Sequence, residues 1–365
     1  FFNRALETII GHDELIKGEK IGLYLFLSPS FAWTTSPFDK STTGITLDNW
    51  HMNILLYESI SANYNNLTIN SEVNSQSSLL QMGLSMRNAI ENDLKKIKGI
   101  SIIIGKHNVK DNISSYLERI KSKVDVAWII APETENELII AKEKLIGKRW
   151  IGCEKNALFL STSKSLTKGK LLQHNILNPD SKIFSKPFSC EYIVKPEDGA
   201  GCENTYKYST LKKALNAQRI IQTSGGKAII EKFIPGQSMS FSMLCSITST
   251  EVIVINRQII EIEKNGKLVY RGIRRINFDT NMNLKNKIIK VAEKIREAIP
   301  GLKGFVGVDF VLDQYDNVCV IEINPRITCA YIGLSYYLNR SLAEEILRIC
   351  PWKEYVKYLI IMGGI

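Results

Sequence analysis

The segment Gly304–Arg326, GFVGVDFVLDQYDNVCVIEINPR, decides how the rest of the chain is read. Two alternating apolar runs, Phe305–Leu312 and Val318–Ile323, flank the polar letters Asp313-Gln314-Tyr315-Asp316-Asn317, the pattern of a β-hairpin. A loop at Gln314–Asn317 pairs Asp313 with Val318 and, counting back along both strands, sets Asp309 opposite Glu322. Directly opposed residues hold their Cβ atoms roughly 4.5–5.5 Å apart, so two carboxylates face each other. Asn324 shares that face, and Gly307 leaves it open to an approaching group. The other face is expected to bury Val306, Val308, Phe310, Leu312, Cys319, Ile321 and Ile323. Opposed like charges destabilise a sheet, so the pair asks for a cation. Two carboxylates and an amide oxygen are hard donors that suit Mg²⁺ shared with a phosphate. An idle acidic face turned to water is the competing interpretation.

The remaining composition narrows the class. At 365 residues the chain has room for two or three domains, and 44% hydrophobic with 23% charged residues describes a globular protein. No apolar run approaches the eighteen or so residues of a membrane helix. The opening residues, FFNRALETIIGHDELIKGEK, carry charges throughout and do not pattern as a signal peptide; the absence of an initiating Met leaves the completeness of the N-terminus open. Seven cysteines are scattered without a CxxC pair, several inside strand-like runs, and are expected as reduced thiols in a cytoplasmic protein. With four dispersed histidines, a His/Cys zinc site is not expected. The net charge of +10 comes from lysines mixed with glutamates, without a nucleic-acid-binding signature. Attraction of anionic small molecules explains it, and no nucleic-acid or membrane partner is expected.

Along the chain, strand-like and helix-like stretches alternate up to about residue 155, which indicates a parallel α/β layer. Residues 21–28 read as a strand and Asn49–Ala62 as an amphipathic helix. Leu79–Lys98 (helix), Gly99–Gly105 (strand), Asn112–Ser122 (helix), Val124–Ile130 (strand) and Leu138–Leu145 (helix) follow, then a short strand at Arg149–Gly152. Ligands gather at the carboxyl ends of such strands, which places the acidic pair Glu133 and Glu135, just after Val124–Ile130, where a substrate amine can be met; a solvated loop with a helix-starting acid is the competing interpretation. Ala157–Asn175 is expected as one helix bearing Lys164, Lys168 and Lys170. In Ser189–Glu203 a strand, Tyr192–Lys195, is stopped by Pro196 and runs into a loop whose Gly199 and Gly201 open backbone N–H groups to an anion beside Lys195. The spacing is not that of a P-loop. A helix at Leu211–Ser224, a strand at Lys227–Phe233 and a three-stranded antiparallel meander lead through a basic helix, Asn283–Ile299, to the hairpin. A helix at Ser341–Leu347 and an apolar end, YLIIMGGI, close the chain.

A lysine before a glycine loop, a Glu-Lys-Phe-Ile-x-Gly strand and an Asp…Glu-x-Asn hairpin, in that order, resemble the ATP-grasp superfamily of carboxylate–amine ligases. The likeness runs from about Lys164 to Tyr331, with the preceding α/β layer matching the family's pre-ATP-grasp domain. WIIAPETE, KPEDGAGCE, INRQII and EINPRITCAYIGLS look like the branch that includes the tyramine–glutamate ligases of methanofuran biosynthesis. The resemblance implies an α/β architecture in three parts. These are a parallel pre-ATP-grasp domain (1–155), a small lid subdomain (156–235) and a C-terminal metal-binding subdomain (236–365), the last two with antiparallel sheets clasping the nucleotide.

It also implies ATP with Mg²⁺ or Mn²⁺, small-molecule carboxylate and amine substrates, and a homodimer as the candidate assembly. Lys164 and Lys195 contact phosphates and the Gly199/Gly201 loop closes over them; Lys168 is the substitute for Lys164. Glu231 meets the adenine amino group, and the backbone at Lys232 and Phe233 reads the adenine edge. Asp309, Glu322 and Asn324 bind metal, and Arg326 joins Lys195 as an electrostatic clamp on the transferred phosphate. Two positions depart from the pattern: Ser238 stands where a ribose-binding Glu is common, and Ser163 stands where an Asp usually precedes the first lysine. Arg257 and one of Arg271, Arg274 or Arg275 are candidates to grip a carboxylate, with Thr328 and Tyr331 lining the pocket. Another ATP-grasp amino-acid ligase, peptide ligase or carboxylase-type enzyme, or a non-catalytic basic binding module, accommodates the same motifs.

Overall fold

Four parallel strands organise the first part of the chain: β1 (Met52–Glu58), β2 (Ile100–Ile104), β3 (Val126–Ile130) and β4 (Arg149–Ile151), in the order β2-β1-β3-β4. The computed structural model describes residues 51–62, 74–107, 112–181, 191–199, 201–277 and 281–350, so the strand expected at 21–28 and the apolar C-terminal end lie outside the described residues. The helices between the strands are α1 (Ser59–Ala62), α2 (Asn74–Leu94), α3 (Ile113–Ile120) and α4 (Glu137–Lys144), the crossovers that parallel pairing requires. The helix expected over Asn49–Ala62 is instead largely β1. Because β1 lies between β2 and β3, Ile54, Leu55, Leu56 and Tyr57 are all fully buried. A strand covered on both faces carries no alternation to distinguish it from a buried helix.

The single helix expected over Ala157–Asn175 is two, α5 (Lys155–Thr162) and α6 (Lys164–Gln173). Ser163 between them is extended (φ −90°, ψ 115°), and its hydroxyl accepts the Leu166 N–H at 3.2 Å. This N-cap ends one helix, starts the next and puts Lys164 at the first position of α6.

Two antiparallel sheets follow. The smaller, ordered β6-β5-β7, holds β5 (Tyr192–Pro196), β6 (Tyr206–Tyr208) and β7 (Ala228–Lys232) under α7 (Leu211–Thr223), with Val194, Ala214 and Ala228 as its core. Pro196 does not interrupt pairing; it sits opposite Ala228 as the last residue of β5. The larger, ordered β10-β9-β8-β11-β12, holds β8 (Gly236–Cys245), β9 (Thr250–Ile262), β10 (Leu268–Ile276), β11 (Gly304–Asp313) and β12 (Val318–Asn324). Helix α8 (Met282–Ala298) buries Ile288, Ala292 and Ile295 in the same core as Phe241, Val306 and Phe310. Helices α9 (Leu334–Leu338) and α10 (Leu342–Ile349) complete the described chain.

The β11–β12 hairpin places Asp309 opposite Glu322 and Gly307 opposite Asn324, as the letters imply. Its tip differs from expectation, because Val318 pairs with Leu312 and not with Asp313. The Asp313 carboxylate is drawn into the turn, accepting the N–H groups of Tyr315 (2.8 Å) and Asn317 (2.9 Å) and the Asn317 side-chain amide (2.9 Å). A bulge at Ile321 absorbs the offset before Glu322 is reached. Val318 and Val320 therefore enter the core, while Cys319 and Ile321 join Ile234 and Val311 on the opposite face.

The β9–β10 turn reaches the small sheet. Lys207 N–H donates to Gly266 O (2.8 Å), Leu268 N–H donates to Thr205 O (2.9 Å), and Tyr206 bridges Lys267. Gly266 has φ +88°, and a Cβ there would stand 2.4 Å from the Lys207 carbonyl oxygen. Gly266→Ala is therefore expected to cost about 1–3 kcal/mol, read as a lower thermal midpoint. An unchanged midpoint would show that the turn does not hold the two sheets together.

Candidate active site

The two antiparallel sheets and the end of the parallel layer enclose a cleft of about 440 Å³, within the roughly 300–1,000 Å³ common for small-molecule sites. Lys164, Lys195, Gly199, Gly201, Glu231, Lys232, Phe233 and Ser238 line it, together with Asp309, Glu322, Asn324, Arg326 and Thr328. Arg257 and Arg274 do not line it. They lie opposite each other on β9 and β10, both exposed, while Gln258, Ile260 and Ile273 occupy the cleft face. Strand alternation puts Arg275 on that face, but its guanidinium donates to Ile332 O and lies over the Tyr337 ring at 5.3 Å. Arg271 pairs with Glu261 at 2.8 Å on the exposed strand surface.

Buried lysines and acids alternate through the cleft. Lys195 Nζ lies 2.8 Å from Glu231 Oε2. Lys168 Nζ lies 3.0 Å from Asp180 and 3.5 Å from Glu231 Oε1, an oxygen that accepts no hydrogen bond among the described residues. Lys164 Nζ donates to Gly199 O at 3.0 Å and stands 3.4 Å from Glu322. Burial pushes the Lys195 ammonium down, but Glu231 and Glu322 more than offset it and hold the group above its ordinary value. Glu231 is thus the charge partner of Lys195, and Lys168 stands beside it.

Glu197, which no motif singled out, fixes this arrangement. Its carboxylate accepts Ser163 Oγ (2.5 Å), Ser165 N–H (3.0 Å) and Ser165 Oγ (2.8 Å) at the amino end of α6. Burial pushes the Glu197 carboxyl up, yet these donors and Lys164 hold it below the usual range. Ser163 replaces the acid usual at its position, and Glu197 brings a carboxylate to the same helix end from the loop.

An apolar wall formed by Phe233, Ile234, Val311 and Ile321 lines one part of the cleft. The Phe233 N–H donates to Glu191 O at 3.0 Å, and Lys207 Nζ stands 4.0 Å above its ring. That N–H is committed to the sheet, so a base edge placed here would have to use other backbone groups of the strand.

The acidic pair has the chemistry a cation would fit. Asp309 accepts from Gln258 Nε2 (2.9 Å) and Asn324 Nδ2 (3.3 Å). Burial and the facing Glu322 push its carboxyl up to about 7. A carboxyl raised by burial and a facing carboxylate would be relieved by a divalent ion placed between the two. No group of three or more His, Cys, Asp or Glu gathers among the described residues. The donors here are two carboxylates and an amide, a set that leaves positions for phosphate and water.

Arg326 and Glu133, assigned separate tasks above, form one buried ion pair. Arg326 Nε and Nη2 donate to the two Glu133 oxygens at 2.9 and 2.8 Å. Burial disfavours the guanidinium charge, but Glu133 outweighs it and raises its value. The pair fastens the segment after β3 to the exit of the β11–β12 hairpin. Thr328 packs onto Gly307, where a Cβ would come within 2.6 Å of its methyl group.

Residues 161–330 match the ATP-grasp domain model and residues 92–158 the pre ATP-grasp 3 domain model. The tyramine–L-glutamate ligase of Methanocaldococcus fervens is 31% identical over 229 residues, covering 62% of this chain and 66% of that protein, just under two thirds of its length. The enzyme of the same name from Methanocaldococcus jannaschii is 28% identical over 256 residues, covering 69% and 71%. Among solved structures, an ATP-grasp superfamily protein from Archaeoglobus fulgidus superposes with a TM-score of 0.60 at 22% identity, covering 81% of this chain and 87% of that one.

The raised Asp309 carboxyl sets a pH signature. Between the ordinary carboxylate range, near pH 4, and about pH 7, the folded state binds more protons than the unfolded one. Stability without metal is expected to fall as pH rises through that window and to level off above it. A divalent ion displaces the proton, so Mg²⁺ should raise the thermal midpoint more at about pH 8 than at about pH 5.5. Asp309→Asn should remove that difference. Equal Mg²⁺ shifts at both pH values in the unaltered protein would place the ion elsewhere.

Proposed function

Because the chain belongs to the ATP-grasp family of ligases, we propose that it is an ATP-dependent carboxylate–amine ligase that forms an amide and releases ADP and phosphate. The observation that carries this reading is one cleft in which buried Lys164 and Lys195 confront the Asp309/Glu322 pair. Fixed cations and an ion-seeking acidic pair across a small space suit a polyphosphate and little else.

In this reading Lys164 and Lys195 hold the phosphate chain, and the Gly199/Gly201 loop closes water out. A divalent ion such as Mg²⁺ or Mn²⁺, held by Asp309, Glu322 and Asn324, would neutralise phosphate charge. An oxygen of the substrate carboxylate attacks the γ-phosphorus of ATP, and the bond to ADP breaks. The amine nitrogen then attacks the acyl carbon, the bond to phosphate breaks, and phosphate leaves with the electron pair as a proton is released. Arg326 contributes a further fixed positive charge beside the acyl phosphate, held in place by Glu133.

The proposed substrates are glutamate and an aromatic amine such as tyramine, supported by the names of the Methanocaldococcus relatives. The division into 1–155, 156–235 and 236–365, the cytoplasmic location and a homodimeric state belong to the same proposal. No helix among the described residues is long and apolar enough to cross a membrane.

ADP release should require both a carboxylate and an amine. Asp309→Ala and Glu322→Ala should each lower kcat by roughly 100-fold or more while the far-ultraviolet circular dichroism stays that of the parent. Parental turnover in either variant would remove the hairpin from the mechanism. Tyramine with glutamate giving no product would end the substrate assignment and leave the ligase standing. Absence of ADP release with every acid and amine pair tried would favour a binding module.

A further inference from the structure

The parallel layer contributes its own wall to the cleft, and none of the roles above uses it. Ile60, Met82, Met86 and Ile130 form an apolar recess there, and the carboxyl end of β1 brings Glu58 to its edge. Glu58 is 2% exposed. Its Oε2 accepts the Ser61 N–H at 2.7 Å and its Oε1 the Ile60 N–H at 3.3 Å, which fixes the carboxylate without neutralising it. Among the described residues no lysine or arginine pairs with it; Arg87, the nearest basic side chain on α2, donates to Ser61 Oγ and Asn88 instead.

The fold makes room for this acid on purpose of position. At Gly83 of α2 a Cβ would stand 2.4 Å from Glu58 Oε2, so any larger residue there would displace the carboxylate. The recess also lies close to the reacting end of the cleft. Cys329 lines the same space, and its thiol, pushed up mainly by burial, senses Arg326, Asp309 and Glu58 together.

A buried carboxylate without a counter-charge is costly, and a cationic ligand removes that cost. An apolar wall rich in methionine accepts an aromatic ring. We infer that this recess is the amine subsite, with Glu58 holding the ammonium head and Ile60, Met82, Met86 and Ile130 taking an arylalkyl body. The inference rests on the ligase reading and adds a selectivity to it: primary arylalkylamines are admitted, and amino acids are rejected as the amine because their carboxylate would face Glu58 in an apolar space.

The full chain tests this with phenethylamine as probe and hydroxylamine as a small competing nucleophile that needs no recess. Glu58→Gln should raise the KM for phenethylamine by roughly tenfold or more, the loss of one charge-assisted contact, with a much smaller change in the KM for ATP. The ratio of arylalkyl amide to hydroxamate should fall by a similar factor. Inhibition of hydroxamate formation by the uncharged isostere 2-phenylethanol should become comparable to that by phenethylamine, which a merely structural role would not produce. Gly83→Ala, which crowds the same carboxylate from α2, should move all three readouts in the same direction and serves if the first variant does not fold. Parental amine KM and parental preference for the ammonium compound in a folded variant would overturn the subsite and leave the ligase reading intact. Absence of hydroxamate from the unaltered protein with every carboxylate tried would overturn the ligase reading, and the subsite with it.

Discussion

Two carboxylates directly across an antiparallel ladder repel each other, and much of the cleft is arranged around that repulsion. Lys164 stands 3.4 Å from Glu322, and the charges of Glu231 and Glu322 both act on Lys195. Each basic group is itself tethered: Lys195 to Glu231, Arg326 to Glu133, and the α6 end bearing Lys164 to Glu197. The result is an alternating lattice of charge that joins all three sheets. In such a lattice, removing one partner leaves a buried charge, at a cost of about 3–5 kcal/mol. Side chains held this firmly need little reorganisation when a polyphosphate arrives, which is the condition under which fixed charges catalyse well.

The hairpin was legible because pairing Asp309 with Glu322 depends on a count along two clearly alternating strands. The count succeeded for a partly compensating reason. Asp313 is consumed by the turn, and the bulge at Ile321 restores the register before Glu322. Everything between those two points changed face, so Cys319 and Ile321 turned out to lie away from the main core. Turn hydrogen bonds and bulges are set by side-chain geometry that a period-two pattern does not encode. Strand β1 failed for the opposite reason: with both faces covered it has no pattern at all. Arg257 and Arg274 were weighed by chemistry alone, although the alternation of β9, with Gln258 and Ile260 on the cleft face, already turns Arg257 away.

The acids that organise the site from outside the hairpin were harder to find. Glu197 sits beside a proline and a glycine loop, where an acid is unremarkable, and acquires its role only when Ser163 breaks a helix opposite it. Glu58 and Glu133 follow the carboxyl ends of neighbouring parallel strands, and Glu133 was placed by that rule. Glu58 is hidden in the sequence because an unpatterned β1 reads as helix, which obscures where the strand ends.

Those two acids also differ in what the fold supplies them. Glu133 receives a guanidinium in a bidentate pair and is neutralised within the chain, whereas Glu58, among the described residues, receives backbone N–H groups and no lysine or arginine. The difference separates two kinds of work at one sheet edge. Glu133 fastens the parallel layer to the β11–β12 hairpin, so the side of the cleft that bears Asp309 and Glu322 is held by contacts that do not involve the recess. Glu58 and the recess beside it belong to β1, α1, α2 and β3, elements that carry none of the cleft lysines and neither Asp309, Glu322 nor Asn324. If the recess takes the amine as proposed, substitutions in that layer would redirect which nucleophile is admitted without disturbing the lysines and acids across the cleft, because function is carried by sites set on a common fold and not by the fold itself.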